Sequence, residues 1–252
     1  MENIISYLDV NRLKQAEDRL SAVDKIIGLR GRVLEIGTGH GESCYLLASK
    51  YNCEVVGTEI RGYESWSLIQ KIENVQLIEA DLNKILDIYG ENSFDRIISF
   101  VVWEHVADPL ECLSICQKLL KPNGRKYIHA YLYGAPKLSH MAHIVKPWGH
   151  LLQSVDEIKN IYGSEELPWY FWCNRTSLFH YYEYFRRLGF LITYKNIITD
   201  NSDFAVTEAD KKILNLYPKE DLMYHGFQFG LEFDEINPKM EIVNPVFKNK
   251  IS

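Results

Sequence analysis

Hydrophobic residues recur along the chain in two alternating patterns. Short runs rich in aliphatic side chains, such as RVLEIG (32–37), CEVVGTEI (53–60) and FDRIISFVV (94–102), have the length of buried strands. Between them lie segments with apolar residues every three or four positions, the spacing of one helix face. Strand-like and helix-like segments that alternate in this way predict an α/β fold, in which helices wrap a mainly parallel sheet.

Three parts of the chain depart from this alternation. Residues 1–29 carry helically spaced apolar positions before two glycines, which predicts an N-terminal helical preface. Residues 133–175 contain three prolines and three tryptophans, and we interpret them as an inserted lid or acceptor-binding segment. Residues 227–233, FQFGLEF, predict a late antiparallel strand at or near the sheet edge. The whole, residues 1–252, is predicted to be a single domain because its length suits one elaborated core.

Charge and cysteine content narrow the classes of function. The net charge is −6, and the basic residues are scattered rather than gathered in a stripe, so nucleic acid is a poor candidate partner. The five cysteines include no CxxC pair, which disfavours a zinc ribbon and fits a reducing cytosol. The first 20 residues have no apolar run long enough for a signal peptide or a membrane span. We therefore expect a soluble, cytoplasmic protein with no membrane partner.

The segment VLEIGTGHG (33–41) carries the first candidate chemistry. It is a buried strand followed by a glycine-rich turn, and glycines let backbone amides approach a bound cofactor closely. Glu59 ends the next strand, 22 residues beyond Gly37, where an acidic side chain reaches the two ribose hydroxyls of an adenosine cofactor. Asp81 follows the third strand and is suited to accept a hydrogen bond from an adenine amino group. The spacing of turn and acid predicts one nucleoside-binding site.

In their order along the chain, these motifs resemble those of class I S-adenosylmethionine-dependent methyltransferases. The likeness rests on VLEIGTGHG, the acid that closes the second strand, EADL (79–82), FDRIISFVVWEHVADP (94–109) and LLKPNGRKYIHAYLY (119–133). The likeness covers roughly residues 30–132, with a fainter one in 174–190. Within the class, the chain is similar to the broad group that methylates small molecules. This likeness implies a Rossmann-like, seven-stranded sheet with helices on both faces, and S-adenosylmethionine as the cofactor.

The resemblance also implies which residues meet the cofactor. By moiety they are Glu35, Gly37, Gly39 and Gly41 for the methionine; Glu59 for the ribose; Asp81 and Leu82 for the adenine; and Phe100 to Trp103, with Phe100 and Val101 foremost, for the sulfonium centre. Ile60 is also expected to bind the cofactor. Trp103 departs from the family pattern, because many relatives have a smaller or aliphatic residue there, and we expect it to narrow the pocket mouth. The other residues expected to line an acceptor pocket are Tyr131, Tyr133, Trp148 and His150.

Methyl transfer from a sulfonium is an in-line displacement, so the enzyme mainly holds nucleophile and methyl collinear and dry. An alcohol or phenol acceptor also needs a base, for which histidine is the suitable type near neutrality. His105 is the first candidate because it follows the fourth strand on the cofactor side. Alternatively, it only packs against or caps the following helix. His140 and His143 are the next catalytic candidates.

A histidine-rich stretch comprises His129, His140, His143 and His150. The HxxH spacing of His140 and His143 would suit a metal if both lay on one helix face. No cysteine lies nearby, and the nearest carboxylates come only after His150, so we favour polar lining of an acceptor pocket and assign no metal. Plain surface or core histidines are the third interpretation. An aromatic stripe at 169–185 predicts core packing or a subunit contact more than a pocket floor, which leaves a homodimer open.

The sequence thus predicts an enzyme that moves a methyl group from S-adenosylmethionine to an oxygen or nitrogen of a small polar metabolite. A sugar, a sugar nucleotide or a natural-product intermediate is the acceptor that fold-level analogy suggests. An NAD-dependent oxidoreductase is the alternative on the same fold, but Glu42 stands where its GxGxxG motif needs glycine. A non-catalytic, methyltransferase-like binding subunit is the second alternative, and the complete cofactor motifs argue against it.

Overall fold

A computed structural model of the chain describes residues 8–136, 148–162, 173–199 and 213–233. The described residues form one seven-stranded sheet, in the order β3-β2-β1-β4-β5-β7-β6. The strands are β1 Arg32–Ile36, β2 Glu54–Glu59, β3 Val75–Glu79, β4 Phe94–Phe100, β5 Leu120–Tyr131, β6 Phe190–Thr199 and β7 Tyr224–Phe233. The first five strands run parallel, and β7 is antiparallel to both β5 and β6. This sheet confirms the predicted fold class.

Helices cover both faces of the sheet. In chain order they are α1 Val10–Ile27, α2 Glu42–Ser49, α3 Trp66–Ile69, α4 Leu82–Tyr89, α5 Pro109–Leu119, α6 Gly149–Leu152, α7 Val155–Tyr162, α8 Leu178–Arg187 and α9 Lys219–Met223. A 3₁₀ turn, η1 Trp103–His105, follows β4. Within the described ranges, no helix is both long enough and apolar enough to cross a membrane.

The core has two main parts, one on each face. Ile97 and Ile98 are adjacent on β4, and they pack in different clusters because successive strand residues point to opposite faces. The Ile97 cluster receives side chains from α4, α5 and α8. The Ile98 cluster receives side chains from α1, α2 and α3.

Helix α1 is tied to the sheet at its carboxyl end. The buried Arg96 of β4 donates from Nε to the carbonyls of Ile27 (2.8 Å) and Gly28 (2.7 Å), two groups that the end of a helix leaves without intrahelical partners. At the other end, the Asp9 side chain accepts from the Arg12 amide and caps the helix. Since α1 runs antiparallel to β4, its amino end lies at the carboxyl edge of the sheet.

The described parts of segment 133–175 belong to a third cluster, separate from the two main ones. Tyr133, Trp148 and Cys173 pack there with Ile213 and Leu222. The Tyr133 hydroxyl donates to the Asp221 carboxylate at 2.6 Å, and the Trp148 indole donates to a backbone carbonyl at 3.0 Å. His140 and His143 lie outside the described residues. The described ends of the segment are therefore joined to the 213–223 region, above the end of β5.

Candidate functional site

The predicted cofactor residues meet at one edge of the sheet. Parallel strands present their carboxyl ends on the same side, and Gly37, Glu59, Asp81 and Val101 each follow or end one of the strands β1 to β4. The strand order reverses between β1 and β4, because β2 and β3 lie on one side of β1 while β4 and β5 lie on the other. Open α/β sheets bind ligands in the crevice at such a reversal.

The glycine loop needs glycine for two different physical reasons. Gly37, Gly39 and Gly41 have φ angles of 73°, 53° and 93°, a left-handed region that other residues seldom adopt. At Gly37, a Cβ would also lie 2.1 Å from the Val102 Cγ2 atom. The amides of Gly37 and Thr38 donate to the Thr58 carbonyl at 2.8 and 3.1 Å. The loop is therefore held between the ends of β2 and β4.

Glu35 supports this loop from inside the protein. Its carboxylate is buried and accepts hydrogen bonds from the Thr38 hydroxyl (2.9 Å) and the Cys44 thiol (3.1 Å). Burial raises the pKa of Glu35 to about 7, and these hydrogen bonds oppose the rise only in part. Because the side chain points inward, its effect on a bound cofactor passes through the loop.

The acids after β2 and β3 stand at neighbouring strand ends. Glu59 is half-buried and accepts from the Ile60 amide at 2.9 Å, while the Ile60 side chain is exposed. Asp81 is exposed and accepts from the Lys84 amide at 2.9 Å, so it also caps α4. Leu82 is buried in the core, which leaves only its backbone for a ligand. The capping role of Asp81 is an addition to the sequence prediction.

The end of β4 is strained where it approaches the loop. Val101 has a φ of 59°, a conformation that is rare for a β-branched residue, and its amide donates to the His129 carbonyl at 2.7 Å. Strain of this kind persists only where the surrounding structure imposes it, and it concentrates at functional sites. Phe100 and Val101 are both partly exposed, so they are accessible at this end of the strand.

Trp103 does not lie at a pocket mouth, which corrects the expectation drawn from its sequence position. Its side chain is fully buried. The indole donates to the Ser99 hydroxyl at 2.7 Å, and the Lys126 Nζ lies 4.1 Å from the ring centroid. The large ring is accommodated because it packs inward beneath η1, in the same cluster as the side chains of α5 and α8.

Arg19 is a site residue that the sequence analysis missed. It lies on α1, and its guanidinium carbon is 5.7 Å from the Phe100 ring centroid. Its positive charge also lowers the pKa of His129, although burial is the larger cause of that shift to about 4. In the described ranges Arg19 forms no ion pair. Nothing in the sequence distinguishes it from a solvated arginine on a polar helix face.

Glu104 is the second residue that the sequence analysis missed. It is 2% exposed, and neither carboxylate oxygen has a hydrogen-bond partner among the described residues. Burial raises the pKa of Glu104 to about 8, and the nearby backbone amides of Glu104 and Tyr131 oppose this only in part. At neutral pH the group is therefore mostly a protonated carboxylic acid, next to the half-buried His105.

The expected acceptor residues separate into two groups. Tyr133, Trp148 and His150 are buried together, and His150 Nε2 lies 2.8 Å from the Tyr133 carbonyl oxygen. Tyr131 and His129 lie on β5 with their rings 5.4 Å apart. Burial lowers the pKa values of both His129 and His150. No group of three or more metal-binding side chains occurs among the residues described, and His140 and His143 are not among them.

The chain matches a family model described as "Methyltransferase domain" over residues 8–190. It is 31% identical over 121 residues to a ubiquinone biosynthesis O-methyltransferase of Neisseria meningitidis serogroup C (strain 053442), covering 46% of this chain and 49% of that protein. It is also 31% identical over 130 residues to a cyclopropane-fatty-acyl-phospholipid synthase of Escherichia coli K12, covering 49% of this chain and 33% of the synthase. The matches span half or less of these relatives' length.

Two solved structures share the architecture. A geranyl diphosphate C-methyltransferase from Streptomyces coelicolor A3(2), in complex with S-adenosyl-L-homocysteine, has a TM-score of 0.57 at 15% identity, covering 92% of this chain and 83% of that one. A phosphoethanolamine N-methyltransferase 2 from Haemonchus contortus, in complex with S-adenosyl-L-methionine, has a TM-score of 0.56 at 17% identity, covering 87% and 53%. At these identities the likeness shows the fold alone.

The raised pKa of Glu104 makes a pH-dependent contribution to stability. The folded chain holds the proton up to about pH 8, whereas the unfolded carboxyl ionises near 4.5. The free energy of unfolding should therefore fall as the pH rises through this interval. Because Glu104→Gln cannot ionise, this variant should gain stability relative to the wild type between pH 5 and pH 7 in urea unfolding. Glu91→Gln, at an exposed site, is the control. A Glu104→Gln effect equal at every pH would contradict the prediction.

Proposed function

Because the chain belongs to the methyltransferase-domain family, we propose that it transfers a methyl group from S-adenosylmethionine to an oxygen or nitrogen of a small polar metabolite. One observation carries the proposal: the glycine loop after β1 hydrogen-bonds to the end of β2, directly before Glu59. The close backbone approach and the Glu59 carboxylate therefore lie side by side, which supports the binding of an adenosine cofactor.

The carboxyl edge offers a partner for each part of the cofactor. Glu59 would accept from the ribose hydroxyls, and Asp81 with the Leu82 backbone would meet the adenine. The glycine loop would enclose the methionine moiety. Arg19 would supply the cation that the methionine carboxylate needs, and the strained backbone at Val101 would border the sulfonium.

The chemistry needs few groups beyond correct placement. Bound S-adenosylmethionine would supply a methyl carbon that the acceptor oxygen or nitrogen attacks in line, with the electron pair of the broken carbon–sulfur bond going to sulfur. An acceptor hydroxyl then loses its proton to a base. His105 suits this role better than Glu104, because Glu104 already carries a proton near neutrality. Glu104 in its protonated form can instead donate a hydrogen bond.

Segment 133–175 supports the choice of a small acceptor. Its described parts form a separate cluster beyond the end of β5, adjacent to the turn that carries His105 and Glu104. Several related proteins act on small molecules according to their names, among them the ubiquinone biosynthesis O-methyltransferase and the phosphoethanolamine N-methyltransferase. A sugar, a sugar nucleotide or a natural-product intermediate is the acceptor class we propose to screen first.

The start of α2 disfavours the oxidoreductase alternative. Dinucleotide-binding folds place a pyrophosphate at this helix N-terminus, where the helix dipole favours negative charge. Here the first helical residue is Glu42, a buried acid paired with Arg12 at 3.2 Å. A second negative group at this point would be repelled.

Cofactor binding is the decisive test of the proposal. Saturation with S-adenosylhomocysteine at 100 times its dissociation constant should add about 2.7 kcal/mol of stability and raise the midpoint of thermal unfolding, whereas NAD should not. Glu59→Gln should weaken binding by about tenfold or more, since a hydrogen bond to a charged group contributes ~1.5–3 kcal/mol. Glu54→Gln, at the opposite end of β2, should bind as the wild type does. Stabilisation by NAD alone would overturn the proposal.

The assignment of Arg19 to the methionine carboxylate predicts which ligands bind more weakly when Arg19 is replaced. Arg19→Gln should weaken S-adenosylhomocysteine binding by about tenfold or more, because a charge-assisted bond to the carboxylate disappears. Binding of 5′-methylthioadenosine, which lacks the amino-acid moiety, should stay unchanged in calorimetric titration. Lys14→Gln removes another exposed cation from the same helix and serves as the control. Equal weakening of both ligands would refute the carboxylate contact.

The role of His105 as the base predicts a kinetic change without a binding change. His105→Ala should slow methylation of a hydroxyl acceptor by about 10²–10⁴-fold and leave cofactor affinity near that of the wild type. The measurement is methyl transfer from labelled S-adenosylmethionine to the acceptor found by the screen, followed over a pH series. Unchanged turnover would show that His105 only packs against the turn.

A further inference from the structure

The turn that carries Glu104 and His105 is too short to satisfy its own backbone. A single 3₁₀ turn leaves most of its carbonyl groups without intrahelical donors. Asn174 supplies further donors from a distant part of the chain, in addition to the Val106 amide and the Tyr181 hydroxyl, which donate to the Trp103 carbonyl at 3.4 and 3.3 Å. Its Nδ2 donates to the carbonyls of Trp103 at 2.6 Å and Val106 at 2.9 Å, and its backbone amide donates to the Glu104 carbonyl at 2.8 Å.

The side chain of Asn174 is fully used in this arrangement. It is 9% exposed, both Nδ2 hydrogens are engaged, and Oδ1 accepts from the Thr176 amide at 3.0 Å. A carboxylate or an aliphatic side chain of similar size cannot donate to the two carbonyls. A serine hydroxyl can donate to only one of them. The two side-chain contacts with the Trp103 and Val106 carbonyls therefore depend on an amide at this position.

The location of Asn174 gives these contacts a role beyond local packing. Residue 174 lies where segment 133–175 returns to the main fold, and the preceding Cys173 belongs to the third cluster. The negative charge of Glu104 contributes to the raised pKa of Cys173, so the carboxyl group lies near this return point. One residue thus joins the acceptor segment to the turn that follows β4.

We propose that Asn174 is a positioning residue for methyl transfer, which holds the Trp103–His105 turn so that the Glu104 carboxyl group stays buried beneath the acceptor segment. Its importance for catalysis rests on the proposed function, but the positioning itself does not. If the turn shifted, Glu104 would reach water and ionise at neutral pH. The acid would then no longer be available as a hydrogen-bond donor beside His105.

The titration of Glu104 can be separated from that of the ionisable groups around it. Tyr181 packs against it from α8, Cys173 from the acceptor segment and the Tyr131 backbone from β5. Burial raises the pKa of the Cys173 thiol to about 11 and that of Tyr181 further, so neither titrates between pH 5 and pH 7. His105 is on the same turn, so the comparison with Glu104→Gln is also made in chains that carry His105→Ala, which removes the neighbouring imidazole.

The test combines Glu104→Gln with variants of Asn174 in the full chain. Asn174→Leu keeps the number and branching of the side-chain heavy atoms and has no donor, and Asn174→Ser keeps one donor in case the leucine variant does not fold. Asn74→Leu is the matched control, because the Asn74 Nδ2 also donates to a backbone carbonyl at 2.6 Å, that of Cys53, at the opposite edge of the sheet. Urea unfolding is measured at pH 5 and pH 7 for each variant with Glu and with Gln at position 104.

In the Asn174 variants, we expect the stability difference between the chains with and without Glu104→Gln to depend much less on pH. The measured quantity is the unfolding constant of the chain with Glu at position 104, divided by that of the chain with Glu104→Gln. With Asn174 intact, this ratio should grow at least about tenfold from pH 5 to pH 7. With Asn174→Leu or Asn174→Ser it should grow less than about threefold, and with Asn74→Leu it should grow as in the wild type. A merely structural hydrogen bond would lower stability equally at both pH values and keep the growth intact, which would overturn the proposal.

A parallel titration with S-adenosylhomocysteine separates the two proposals. The Asn174 variants should bind it within about threefold of the wild type, because Asn174 contacts the acceptor-side turn and not the glycine loop. Failure of the wild-type chain to bind would refute the proposed function and leave the coupling result valid. Binding lost only in the Asn174 variants would show that the residue supports the whole site, against a specific role at Glu104.

Discussion

The close packing of the glycine loop against the end of β4 is the constraint on which the site depends. A Cβ at Gly37 would collide with Val102, and the three left-handed glycines make the loop too tight for other residues. The same contact accompanies the strained backbone at Val101. Because the loop also hydrogen-bonds to Thr58, the ends of β1, β2 and β4 are fixed relative to one another before any ligand binds.

Burial of the Glu35 and Glu104 carboxyl groups is the energetically unfavourable part of this arrangement. Glu35 is compensated by two hydrogen-bond donors, and it supports the loop from below. The Glu104 carboxylate has no hydrogen-bond partner among the described residues, and burial raises its pKa further, to about 8. Burying an ionised carboxylate without partners is unfavourable, so the structure favours its protonated form. The two acids thus lie in different places, Glu35 beneath the glycine loop and Glu104 in the turn that Asn174 contacts.

Two long-range contacts complete the site from outside the central motifs. Arg96 holds the carboxyl end of α1, which places the helix so that Arg19 reaches Phe100. Asn174 holds the turn after β4 from the far end of the acceptor segment. Parts of the chain that flank the common motifs therefore contact the end of β4 and the turn that follows it.

The family and the fold could be predicted from the sequence, and both predictions are confirmed, because they depend on local and periodic features. Alternating apolar runs determine strands and helices, and the glycine spacing with Glu59 is contained within a single βαβ unit. The inward position of Trp103, the unpartnered Glu104 and the contacts of Arg19 and Asn174 could not be predicted in this way. Asn174 and Trp103 are 71 positions apart, and only tertiary packing brings such residues together. The sequence alone determined where a cofactor is expected, and the tertiary structure decided which side chains face it, since burial and partner choice depend on contacts that local spacing does not encode.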